Sequence, residues 1–260
     1  MQCREIMRII EEVYPQNAAL DFDNVGLLVG RVDKDVHRIY LALDATDEVI
    51  QDAIEKKADM IITHHPLIFS PVKKVTNENF LTKRILTLIQ HDIAYYAMHT
   101  NYDVLGMSYL AGNYFELKNS EILMPTMELG EKKAGIGIVG ELSSEMSLQD
   151  CCHLVKEKLN LNTVRVFGDF HATVRRFAIS PGSGKSCISP AIAKGADVLV
   201  TGDIGHHEGI DAVAQGIAII DAGHYGTEHI FIDDMEQFFQ LRTPKIQIFT
   251  AEKIHPFQVC

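Results

Sequence analysis

The stretch Met60–Ser70, MIITHHPLIFS, decides how this chain is read. Its first three residues are apolar and Ile61, Ile62 and Thr63 are β-branched, the composition of a strand buried on both faces. Two histidines follow at once. Pro66, which has no N–H to give to a ladder, then stops the strand. Imidazoles at the end of a buried strand need hydrogen bonds or a ligand to offset their desolvation, and the carboxyl ends of strands are where open α/β sheets bind ligands.

Working outward, helices and strands alternate. CREIMRIIEEVY places Ile6, Ile9, Ile10 and Val13 at helical spacing and is closed by Pro15. Two short apolar runs, VGLLVG and RIYLALDAT, precede the helical DEVIQDAIEKKA, and past the histidines come helix FLTKRILTLIQH, strand IAYYAMH and helix MSYLAGNYFEL. From about Asn119 to Lys133 the periodicity lapses into a polar stretch containing Pro125, after which the alternation resumes. This predicts an α/β fold with a first domain over 1–125 and a second over 126–260, the last strand, KIQIFT, being free to return to the first. The two halves also repeat: KKADMIITHH matches KGADVLVTGD, and HDIAYYAMHTNYD matches QGIAIIDAGHYGTE. Two related α/β domains facing a shared metal-binding cleft are therefore expected.

The repeat gathers polar groups at equivalent strand ends: His64 with His65, His99 with Asp103, Asp203, and His224 with Glu228. Histidine is the commonest metal ligand, and carboxylates complete mixed nitrogen and oxygen sites. Adjacent side chains on an extended segment point to opposite sides, so His64 and His65 suit two different ions. A carboxylate, Glu228 or Asp103, could bridge two cations about 3.5 to 4 Å apart, as in two-metal hydrolytic sites. The donor set does not choose among zinc, iron and manganese.

Composition narrows the function classes. The 260 residues are 47% hydrophobic and 23% charged, enough for a proper core, and the formal net charge is −11 with both signs spread along the chain. Nucleic acid and anionic membrane are thereby disfavoured as partners, and a polyanionic small-molecule substrate would need local positive charge of the kind metal ions supply. The start, MQCREIMRII, has no sustained apolar region, and no run approaches the ~20 residues needed to cross a bilayer, so a soluble cytoplasmic protein is expected. Five cysteines (Cys3, Cys151, Cys152, Cys187, Cys260) without C-x-x-C spacing suggest neither a disulfide framework nor a thiolate zinc site.

Six ordered motifs, DFDNVGLLVG, LALDAT, ITHHPLIF, HTNYD, TGDIGHHEGIDA and DAGHYGTE, carry a resemblance from about Asp21 onward. The chain resembles the dinuclear metal centre family, also known as type 2 GTP cyclohydrolase I or NGG-interacting factor 3-like proteins. The resemblance implies that His64, His65, Asp103, His224 and Glu228 hold two divalent ions per chain, with His99 orienting a ligand and His207, of G-D-x-x-x-H, serving as an acid or base beside Asp203. It also implies a ring-shaped homohexamer and hydrolytic opening of the GTP purine ring. The family often has tryptophan where this chain has Phe22, and longer members carry an inserted domain that 260 residues cannot hold.

SPGSGKS, Ser180–Ser186, ends like a phosphate loop, but Ile179 stands where its first glycine belongs, so the full pattern fails. Gly184, Lys185 and Ser186 remain candidates for a phosphate contact in a Gly-rich turn. Two functions fit these observations: a metal-dependent hydrolase of GTP or a related nucleotide, or a non-enzymatic protein that delivers or senses metal.

Overall fold

A computed structural model describes residues 1–130 and 132–258; Cys260 lies outside them. The chain divides into two compact units, one made of Met1–Tyr102 with Phe231–Lys253, the other of Asp103–Ile230 with the residues from Ile254 onward. Each is mixed α/β and is built around one sheet.

The first unit's strands are β1 (Gly26–Val29), β2 (Arg38–Ala42), β3 (Met60–Thr63), β4 (Ala94–Ala97) and, from the returning segment, β11 (Gln247–Thr250). They stand in the order β1-β4-β3-β2-β11. Strands β4, β3, β2 and β11 run parallel, whereas β1 is antiparallel to β4. Every residue of β3 and β4 is buried, which is why those segments read as continuous apolar runs. Helices Asp47–Glu55 and Phe80–Gln90 are capped by Thr46 and Asn79, whose side chains accept from Val49 N and Leu81 N. Ile50, Ala53, Ile85 and Leu88 from these helices pack with Tyr40, Ile61 and Tyr95 of the sheet in one apolar core.

The second unit holds β5 (Lys118–Leu129), β6 (Lys132–Ser147), β7 (Arg165–Phe167), β8 (Thr173–Ser183), β9 (Val198–Gly202) and β10 (Ala218–Asp221), in the order β5-β6-β8-β9-β10-β7. Here β8, β9 and β10 are parallel and the flanking strands antiparallel. The repeat seen in the sequence is thus a repeat of structure. β3 and β4 are parallel neighbours joined through helix Phe80–Gln90, and β9 and β10 are parallel neighbours joined through helix His206–Ala214.

The division does not fall at 125/126. Most of the polar stretch expected from about Asn119 to Lys133 belongs to an edge strand, Lys118–Leu129, hydrogen-bonded to β6 and exposed along most of its length, and Pro125 sits where a missing N–H is tolerated. The chain instead passes from the first unit to the second at Tyr102/Asp103 and returns at Ile230/Phe231.

Candidate metal centre

In the first unit, β3 delivers His64 and His65 and β4 delivers His99. The turn after β3 is clamped through its backbone. Thr63 Oγ1 and Tyr95 OH both donate to the His65 carbonyl, at 2.7 and 2.8 Å, Tyr95 OH accepts from Leu67 N, and His65 N donates to Leu43 O. His64 is fully buried, its ring 5.3 Å from that of Phe231.

All three rings are held by Nδ1. His64 Nδ1 lies 2.8 Å from Met98 O, His65 Nδ1 lies 2.8 Å from Asp44 Oδ1, and His99 Nδ1 lies 2.8 Å from Asp23 Oδ1. A carbonyl accepts only, and so does an ionised carboxylate, so each Nδ1 is the donor. Asp23 is anchored by three further bonds, from Thr100 N, Thr100 Oγ1 and Asn24 N. Its burial pushes the carboxyl pKa up, but the bonds from His99 and Thr100 outweigh that and hold it at about 2. The three histidines each offer a ring nitrogen within 4.8 Å of the others.

In the second unit, Asp203 directly follows β9, and the turn after β10 leads to His224. Gly223, at φ +77°, turns the chain into the short helix His224–Glu228. Its two ends are one turn apart and share a face, with His224 Nε2 3.1 Å from Glu228 Oε2. Donor atoms bound to one ion at about 2.0 to 2.2 Å are themselves about 3 Å apart, so this pair has the spacing of one edge of a coordination shell. Asp203 adopts left-handed backbone, φ +60°, and its carboxylate takes His224 Nδ1 at 2.7 Å. Glu228 is 3% exposed, and a carboxylate so buried requires cationic or hydrogen-bonding company. Asp103 opens a π-helical turn, Asp103–Met107, a local irregularity that often accompanies functional residues.

The donor chemistry fits divalent metal. Four imidazoles have Nδ1 tied to an acceptor, three of them to a carboxylate, which is how metal-binding histidines are oriented.

The other expected residues sit differently. His207 is exposed near the start of helix His206–Ala214, its ring 5.2 Å from that of His206. Lys185 lies in a single 3-10 turn, Lys185–Cys187, with its ammonium ion-paired to Glu208. Gly184 is buried, where a Cβ would overlap the Thr201 side chain, and Ser186 is exposed. The part of that segment closest to the donors is Gly182, whose N–H donates to Thr227 Oγ1 and whose absent Cβ would overlap Glu228 Oε1. Nothing in residue type alone marks Asp23 or Asp44, and Gly182 reads only as part of a Gly-rich turn. Asp23 and Asp44 lie inside two of the recognised motifs, DFDNVGLLVG and LALDAT, and Gly182 inside the failed phosphate loop, so a signal was present without a spacing rule to read it.

Two α/β units, each with histidines held at the carboxyl ends of parallel strands, define a two-domain α/β protein with candidate metal-binding side chains. The chain belongs to the Duf34/NIF3 (NGG1p interacting factor 3) family, whose sequence profile matches residues 1–256. A relative from Clostridium acetobutylicum called GTP cyclohydrolase 1 type 2 homolog is 39% identical over 230 residues, covering 88% of this chain and 85% of its own. Among solved structures, a Staphylococcus aureus hypothetical protein superposes with a TM-score of 0.89 at 32% identity, covering 100% of this chain and 99% of its own. A Bacillus cereus protein related to NIF3 gives 0.91 at 26% identity with the same coverage.

Proposed function

We propose that the protein holds two divalent ions per chain, of zinc, iron or manganese, and is a hydrolase acting on GTP or a related nucleotide. The observation that carries this reading is that His64, His65, His99 and His224 are each held through Nδ1 by a carbonyl or a carboxylate, the arrangement that orients metal-binding histidines. In this reading His64, His65, Asp103, His224 and Glu228 are the ligands, with Glu228 shared by both ions. Bound metal would supply Lewis acidity and charge neutralisation. Around it, Asp44 and Asp203 hold the rings of His65 and His224, and Asp23 holds His99, whose free Nε2 is placed to take or give a proton. The relatives' names support the substrate class, and the net charge of −11 makes metal the natural counter-charge for a polyphosphate.

Elemental analysis of purified protein followed by a nucleotide and phosphoester screen with each metal found tests it. About two ions per chain with turnover of a nucleotide is the expected result, and stoichiometry near one after saturation would sink the two-ion site. Glu228→Gln should lower the affinity for both ions, and Asp103→Asn chiefly for one; the reverse pattern would make Asp103 the bridge.

The second reading, a non-enzymatic metal-delivery or metal-sensing protein, draws support from Lys185. Its pairing with Glu208 means that a triphosphate reaching Gly184, Lys185 and Ser186 must first displace a carboxylate. Metal-loaded protein that binds two ions and turns over nothing would favour it. A cytoplasmic homohexamer is part of the proposal in either case, with light scattering as its test; among the described residues no helix is long and apolar enough to cross a membrane.

A further inference from the structure

Phe22 and Phe69 are 62% and 51% exposed, yet they lie together, ring centroids 6.2 Å apart and planes tilted by 49°. Exposed phenyl rings scattered singly are ordinary, but two that form an open corner on tethered loops are not. Both loops are fixed to the histidine group. Phe22 precedes Asp23, whose carboxylate holds His99 Nδ1, and Phe69 lies four residues after His65 in the turn that Thr63 and Tyr95 clamp. Asn24 Nδ2 donates to Ile68 O at 2.6 Å and ties the two loops to each other. The corner is therefore held in fixed relation to His65 and His99, and each ring has an open face.

We propose that Phe22 and Phe69 form an aromatic platform on which the planar heteroaromatic ring of the substrate, a purine base, stacks beside the histidines. This deepens the nucleotide reading above and rests on it. An aromatic face recognises a base by stacking, contributes without hydrogen-bond readout, and leaves the metal donors untouched. The position of the corner supplies the commitment to this occupant, since an exposed apolar surface built of π faces is tied by hydrogen bonds to the loops that carry His65 and His99.

The chain has no tryptophan, so Phe22→Trp installs a single fluorophore at the platform. Guanosine should quench it saturably, whereas ribose 5-phosphate and tripolyphosphate should not. In that background Phe69→Ala should weaken guanosine binding roughly tenfold, the usual size of a lost base–aromatic stack, with metal content unchanged. Phe69→Leu keeps apolar bulk without a π face and should lose several-fold as well. Absence of saturable quenching, a Leu variant that binds like Phe, or a change in oligomeric mass on replacing either ring, which would make the corner a subunit contact, overturns the platform. Failure of the hydrolase reading looks different: guanosine still quenches, two ions are still bound, and no nucleotide is turned over.

Discussion

Gly182 is where the Glu228 side chain tolerates no neighbour. Its φ of +73° is left-handed and a Cβ there would overlap the carboxylate, so Gly182→Ala combines backbone strain with displacement of the proposed bridge. It should reduce metal content as severely as Glu228→Gln, read by elemental analysis of dialysed protein. Asp23 makes a second residue-scale prediction. Its folded value, about 2, lies below its ordinary 3.8, so its stabilisation is complete above about pH 4 and is lost as pH falls through 2. The difference corresponds to about 2 kcal/mol. Asp23→Asn should remove that much and flatten the acid limb of urea-denaturation midpoints in metal-free protein. At this scale the histidines stand out in the sequence because paired imidazoles at the end of a buried strand need partners to offset their desolvation. Asp23 and Asp44 do not, because an acidic residue in a polar turn looks the same whether or not it meets a ring 76 or 21 residues away.

At the scale of elements, helix Leu148–Lys158 begins where its Ser147 cap dictates: the hydroxyl accepts from Asp150 N and the last turn carries Lys156 and Lys158. Ser147→Ala should cost about 1 kcal/mol and lower the thermal midpoint without affecting metal content. Leu148, Cys151, Cys152 and Val155 are buried at helical spacing, a pattern visible in the sequence. β5 has no such pattern, since its burial lies mainly in Ile122 and Leu123 and the rest of it faces solvent, leaving neither alternation nor an apolar run to detect. Helical spacing runs unbroken from about Gly226 to Leu241, yet the structure has two helices there, His224–Glu228 and Ile230–Arg242. Both pieces keep helical spacing, so the break is invisible to periodicity.

For the whole molecule, that break matters most, because the chain changes units just after it. The first unit needs β11 and helix Ile230–Arg242, where Phe231, Met235 and Phe239 are buried. A fragment spanning 1–125 lacks both and should fail to unfold cooperatively in urea, although the sequence alone makes it look like a domain. The repeated strand pairs could be read from sequence because the two copies share residues; the chain crossings could not, since a crossing changes which core a segment joins without changing its composition.

The histidine rings have one consequence that belongs to time. With each Nδ1 already bonded, the imidazoles lose their rotational freedom when the chain folds, so in the proposed metal site loading an ion would require no further ordering through those bonds. The pace of loading would then fall to how quickly a hydrated ion sheds its water, and a metal that exchanges water slowly would be expected to enter late even where it binds tightly.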